Sequence, residues 1–166
     1  MIKDYNKKLV LADGTEYPGY AFGAPDEKIC EIVFNTSVTG YQESLSDPSY
    51  TYQAVVMSYP LIGNYGMAAD DYETETPSIG AMIVRDYNDS PSNFRSEKTL
   101  SEVMKQYHIP GLSGVDTRKL VRQIRNQGSG LGILTDIGTS KEEALKKLAA
   151  YSEPRDAVSC VSRKQI

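Results

Sequence analysis

Short apolar runs alternate with turn-forming residues along the first half of the chain. Lys8-Leu9-Val10-Leu11 reads as a strand, and Asp13-Gly14 after it as a hairpin turn. Glu16 to Ala21 is the returning strand, with Pro18 expected to place it at a sheet edge. Glu31 to Asn35, Gln53 to Ser58 and Ile79 to Val84 are nearly continuous apolar runs, the pattern of strands buried on both faces. Between the first two, Thr39 and Gln42 form a capping-box pattern that predicts a short helix from Gly40 to Leu45. Asp47-Pro48 breaks it, and Gly63-Asn64-Tyr65-Gly66 is a turn. Asp70 to Thr76 reads as an acidic loop, and Asn88 to Ser96 as a polar one.

The second half carries the helical period. Thr99 and Glu102 form another capping box, followed by a stripe of Leu100, Val103, Met104 and Tyr107 that ends at Pro110-Gly111. Leu112 to Val115 is short and β-like. Asp116 caps a helix to about Asn126, with Leu120, Val121 and Ile124 facing inward and Gly128 closing it. Gly130 to Thr135 is a last strand. Ser140 and Glu143 cap a final helix to Tyr151, which Pro154 stops. Arg155 to Ile166 has no core periodicity. A hairpin followed by strands alternating with helices predicts an α/β domain with a mixed sheet and an N-terminal β-hairpin layer.

Composition narrows the chemistry. The chain has 166 residues, enough for one domain with a real core. A net charge of −4 and a pI near 5.1 argue against a nucleic-acid surface. No apolar run approaches the length of a membrane span. The N-terminus, Met1 to Asn6, lacks the apolar core of a signal peptide, so a cytoplasmic location is expected. Two cysteines and one histidine form neither a disulfide framework nor a zinc spacing, so no metal site is expected. A Cys-His nucleophile pair has only Cys30, Cys160 and His108 to draw on.

Each candidate has a plain structural reading beside the functional one. Cys30 is expected to be a small buried filler rather than a nucleophile. Cys160 has no chemical context. His108 sits where a cation favours a helix C-terminus, with no carboxylate pattern to make it a base. In the turn Asp47-Pro48-Ser49-Tyr50, Asp47 and Ser49 either satisfy the turn's own backbone or present the Ser49 hydroxyl to a ligand. Gly63 to Gly66 lacks the lysine and spacing of a phosphate loop. Gly128 to Gly132 follows a helix and precedes a strand, the wrong order for a dinucleotide fingerprint. Arg118, Arg122 and Arg125 share one helix face, either solvated or meeting an acidic partner. Five tyrosines fall between Tyr41 and Tyr65. Tyr41 and Tyr65 then either belong to an interface, where a large ring with a polar tip is favoured, or line this domain's own core with the other tyrosines. These residues alone describe an α/β domain with a tyrosine- and hydroxyl-rich loop cluster, and build no active site.

The runs FNTSVTGYQESLSDPSY (Phe34 to Tyr50), YPLIGNYG (Tyr59 to Gly66) and GVDTRKLVRQIRNQG (Gly114 to Gly128) say more than their spacing. They closely resemble the small, glutamine-hydrolysing chain of carbamoyl-phosphate synthetase. The opening LADGTEYPGYAFGA and the segment PSNFRS join the match, which extends to about Tyr151.

The resemblance implies a layered β/β/α N-terminal domain over residues 1–153. It makes 154–166 a linker or tail toward a class I glutaminase domain that carries the Cys-His-Glu triad. It implies that the serine at position 49 contributes to the L-glutamine site. It also implies docking to a large synthetase chain to which ATP and magnesium belong, with no cofactor in this domain. Arg118, Arg122 and Arg125 are expected to face that chain, and Tyr41 and Tyr65 the glutaminase domain. The domain is then part of a ligase but inactive by itself. Two departures stand out: Leu61 where the family usually has histidine, and Val38 where methionine is common. The alternatives are a free-standing amidase using Cys30 and His108, or a stand-alone glutamine-binding or regulatory module.

Overall fold

In a computed structural model, residues 4–67, 74, 76–90, 92 and 97–162 are described. The expected acidic loop at Asp70 to Thr76 falls largely outside them, as do much of the loop from Asn88 to Ser96 and the last four residues.

Seven strands form one mixed sheet that closes on itself. They are β1 (Lys7–Leu11), β2 (Glu16–Gly23), β3 (Lys28–Asn35), β4 (Ala54–Met57), β6 (Ala81–Ile83), β8 (Pro110–Ser113) and β9 (Gly130–Asp136). Their order round the barrel is β1-β2-β8-β6-β4-β3-β9. The central strands β3, β4, β6 and β8 run parallel to one another, and the remaining pairings are antiparallel. A two-stranded sheet, β5 (Leu61–Ile62) with β7 (Asp86–Tyr87), lies apart. The helices are α1 (Tyr41–Ser46), α2 (Leu100–Gln106), α3 (Thr117–Gln127), α4 (Lys141–Ala150) and α5 (Ala157–Val161).

The apolar runs are continuous because both faces of the barrel wall are covered. Successive strand residues point to opposite faces. In β4, Ala54 and Val56 join an inner cluster with Leu9, Ile32, Ile83 and Leu134. Val55 and Met57 join an outer cluster with Leu100, Val103 and Met104 of α2. In β1 and β9, Val10 and Ile133 turn outward onto Ala144 and Leu148 of α4. Helix α3 sends Leu120 and Ile124 into the inner cluster.

The hairpin forms as expected, with the Leu11 N–H donating to the Thr15 carbonyl around Gly14 at φ 84°. It is built into the barrel rather than lying beside it, because β1 also pairs with β9 and β2 with β8. Pro18 is consequently not on an edge strand. It pairs with Lys8, and β2 meets β8 only from Tyr20 onward, so its missing N–H interrupts no bond to β8. The caps at Thr99, Asp116 and Ser140 form as the sequence predicts, the first as a complete capping box. Beyond Pro154 the chain is not wholly irregular, since α5 forms one short helix there.

Candidate functional site

The hydroxyl- and tyrosine-rich segment begins where β3 ends, at Asn35. Its side-chain oxygen accepts from the Ser37 N–H at 2.7 Å, and its amide donates to Ser44 Oγ at 3.0 Å and Tyr50 Oη at 3.4 Å. One amide thus ties the strand end, α1 and the following turn together. The expected cap of α1 by Thr39 does not form. The cap is Gly40, in a left-handed conformation with φ 87°, and no side chain of the cap residue bonds the helix. The orphan amides instead find Tyr65, whose phenol oxygen accepts from the Gly40 and Tyr41 N–H groups at 3.1 and 3.2 Å.

Tyr41 takes the core alternative within this domain. It is 2% exposed, stacked on Tyr65 with ring centroids 4.1 Å apart, and its hydroxyl donates to the Gly66 carbonyl at 2.8 Å. Its ring completes this domain's own outer cluster, which accounts for the burial. Burial, reinforced by Tyr65, pushes its phenol pKa up, so it remains a neutral donor. Tyr65 itself is half-buried. The Gly63 to Gly66 turn closes as expected, with the Gly66 N–H donating to the Gly63 carbonyl at 3.2 Å.

After α1 the chain enters the Asp47-Pro48-Ser49-Tyr50 turn. Asp47 Oδ1 accepts from the Ser49 N–H at 2.8 Å, and the Asp47 carbonyl accepts from the Tyr50 N–H at 3.1 Å. The Thr51 hydroxyl donates to the Pro48 carbonyl at 2.7 Å. Asp47 and Thr51 therefore satisfy the turn. Ser49 is exposed, and its hydroxyl bonds no described residue.

A small concavity of about 120 Å³ opens beside this segment. Tyr41, Met57 and Ile62 form its buried wall, and Val38, Tyr59 and Leu61 are exposed lining residues.

Arg118, Arg122 and Arg125 are all exposed on α3 and make no ion pair with a described residue. The helix that presents them is firmly held. Gln123 accepts from Tyr17 Oη at 2.6 Å and donates to Asp13 Oδ2 at 2.7 Å, linking α3 to the hairpin and its turn. Gln123 carried no sequence signal, because its partners lie more than a hundred residues away.

Cys30 and His108 form no pair. Cys30 is 1% exposed within the inner cluster, and burial pushes its thiol pKa up to about 12. His108 follows α2 at the surface, with its imidazole 3.6 Å from Asp26 Oδ2. Cys160 does have a neighbour: its sulfur lies 3.0 Å from Tyr52 Oη in an exposed contact. Among the described residues, no cluster of His, Cys, Asp and Glu could hold a metal ion, and no helix is long and apolar enough to cross a membrane.

Comparison with known proteins gives this geometry its setting. Residues 9–134 match the family model for the carbamoyl-phosphate synthase small chain, CPSase domain. A carbamoyl phosphate synthase small chain from Fusobacterium nucleatum is 51% identical over 98% of this chain and 45% of its own length. One from Staphylococcus epidermidis is 51% identical over 94% of this chain and 43% of its own. A pyrimidine-specific small chain from Halalkalibacterium halodurans is 49% identical over the same shares, 94% and 43%. The chain thus spans less than half the length of the curated relatives it matches. Among solved structures, the aminopeptidase from Aneurinibacillus sp. strain AM-1 overlaps 82% of this chain and 31% of its own at 13% identity. Its TM-score is 0.43, too low to inform fold or function.

Proposed function

Because the chain belongs to the carbamoyl-phosphate synthase small-chain family and carries its CPSase domain, we propose that it is the docking half of a glutamine-hydrolysing subunit. In this reading a class I glutaminase domain packs against it. A large synthetase chain binds the pair and supplies the ATP and magnesium chemistry. The carbamoyl phosphate made would feed pyrimidine or arginine synthesis. The observation that carries the reading is the match itself, which runs through residues 9–134 and takes in the turn at Asp47 to Tyr50.

Ser49 is the residue assigned to the glutamine site. Supporting this, the turn's backbone is satisfied by Asp47 and Thr51, while the Ser49 hydroxyl is exposed and bonds no described residue. It can donate to a carboxylate or accept from an ammonium, the two charged groups of an amino-acid ligand. The face of Arg118, Arg122 and Arg125 is assigned to an acidic surface of the large chain. Arginine suits that role because its planar fork binds carboxylates in pairs. Tyr65 contributes by shaping the segment that ends in Ser49, and Tyr41 supports it from within.

The amidase alternative fares poorly, because a thiol buried in the barrel and raised to about 12 has neither access nor a base. The test is ammonia release from the purified chain at saturating glutamine. No turnover is expected until a glutaminase domain is supplied, and turnover dependent on Cys30 would refute the reading. Calorimetry with glutamine addresses the remaining alternative, a stand-alone binding module, for which the isolated chain should bind tightly.

A further inference from the structure

Five large apolar side chains are exposed among the described residues, and three of them meet at one place. Val38 is 65% exposed, Leu61 39% and Tyr59 38%. All three line the concavity of about 120 Å³ that Tyr41, Met57 and Ile62 wall. No residue lining it carries a charge, although 24% of the chain does. Scattered apolar residues on a surface need no explanation, but an uncharged apolar ring around a concavity marks a contact that excludes water.

The polar lining residues keep this patch adhesive rather than inert. Ser37, Thr39 and Asn64 stand among the apolar residues and can bond a backbone that lies across them. The wall is also preorganised. Tyr41 and Tyr65 are stacked, and Tyr65 accepts from two amides of the α1 terminus. A rigid concavity of this size suits one aliphatic or aromatic side chain inserted as an anchor.

We propose that this concavity is the socket for an apolar side chain of the small-chain half that follows this domain, and that Val38 and Leu61 set its preference for an uncharged partner. The inference rests on the reading given above. Two observations favour this occupant over others. First, the matched part is less than half of the relatives' own length, so a small chain of this family has room for a second domain at least as large as this one. Second, one edge of the socket and Ser49 lie close along the chain. Only the six residues of α1, about 9 Å of helix, and the adjoining turns separate Ser37–Gly40 from Asp47–Ser49. If Ser49 reaches a glutamine bound in that half, the socket falls within the footprint of a standard interface. The large chain is less well matched, because the α3 face offers it charge whereas the socket offers none.

The test uses the complete small chain, this domain joined to the half that follows it, with Val38→Asp and Leu61→Asp introduced together. Val38 is largely exposed, but Leu61 stands opposite Asp86 in the two-stranded sheet, so this domain alone should still fold cooperatively with its unfolding midpoint lowered modestly at most, and each variant's midpoint is measured on the domain alone as the baseline. The wild-type small chain should unfold in one transition and resist proteolysis between its halves. The double variant should unfold in two transitions and be cleaved between the halves about tenfold faster or more, because carboxylates in an apolar socket are costly to desolvate. Leu61→Met should behave as wild type.

Halves that remain coupled in the double variant would overturn the proposal. It would equally be overturned if the substitutions dissociated a dimer of small chains, or released the large chain, while leaving the halves coupled. Ser49→Ala separates this inference from the reading beneath it. If the double variant uncouples the halves while Ser49→Ala leaves glutamine use unchanged, the socket stands and the Ser49 assignment falls. If Ser49→Ala impairs glutamine use and the double variant does not uncouple the halves, the socket falls alone.

Discussion

The Tyr65 ring stacks on the Tyr41 ring at 4.1 Å while its phenol oxygen accepts from the Tyr41 backbone N–H at 3.2 Å. One side chain from a turn thereby both packs and caps the helix that Tyr41 begins. Tyr65→Phe keeps the stacking and removes the acceptor, leaving the Gly40 and Tyr41 amides without it. The expected loss is about 1–3 kcal/mol in urea unfolding, the range for a stranded, partly buried donor. Amide exchange should quicken most at positions 40 and 41. Unchanged exchange there would show that the cap contributes nothing.

The two cysteines should differ sharply in reactivity. Cys30 is sealed in the barrel with its thiol pushed up to about 12, while Cys160 is exposed. A thiol-specific disulfide reagent at neutral pH should modify one cysteine in the folded chain and two after denaturation. Peptide mapping should place the first at Cys160. Rapid native-state labelling of Cys30 would contradict the barrel's closure around it.

Glu27 gives the acid side of the stability curve a named contributor. Burial raises its pKa, but bonds from the Thr135 hydroxyl and Lys147 outweigh that and hold it below the ordinary 4.5. A carboxylate with a depressed folded pKa stabilises fully above the unfolded value, and that contribution is lost as pH falls through the folded one. Stability should therefore drop below about pH 4.5. Glu27→Gln should flatten that decline while lowering stability at neutral pH. An unchanged acid limb in the variant would remove Glu27 from the account.

Charge reversal at Arg118 and Arg122 should leave the fold of this domain intact, because exposed unpaired charges contribute little to stability. If this face docks onto the large chain as proposed, association of the small chain with it should weaken, and the weakening should shrink as salt rises, since screening already suppresses the attraction. Equal affinity for wild type and variant across a salt series would mean that the arginine face is merely solvated.

Local signals proved readable where the structure uses local partners. Thr99, Asp116 and Ser140 cap helices through amides three residues on, so spacing alone located them. The stripe on α2 and the inward face of α3 follow from the helical period. Thr39 failed as a cap because a residue 25 positions away from Gly40 supplies the acceptor, which no window around the helix can reveal. Barrel closure was hidden for the same reason, as it depends on β9 pairing with both β1 and β3. The strands β5 and β7 are two residues each, too short to carry a period. Tyr41 illustrates a different limit. A tyrosine that stacks in the core and one that waits at an interface look alike in sequence, because both need an apolar ring and a polar tip. Within the candidate site, the Asp47–Ser49 turn was legible from Asp and Pro chemistry. The apolar exposure of Val38, Tyr59 and Leu61 around one concavity was not, since the three are brought together only by the fold.

The central claim is that this domain lends Ser49 to a glutamine site completed by another half of the subunit. Kinetics of Ser49→Ala in the complete small chain, assembled with the large chain, test it most directly. A hydrogen bond to a charged ligand group is worth about 1.5–3 kcal/mol, so the glutamine KM should rise by very roughly ten- to a hundred-fold. The reaction driven by added ammonia should be unaffected, because ammonia bypasses the glutamine site. An unchanged glutamine KM, or an equal loss in the ammonia-driven reaction, would contradict the claim and leave Ser49 as a turn residue only.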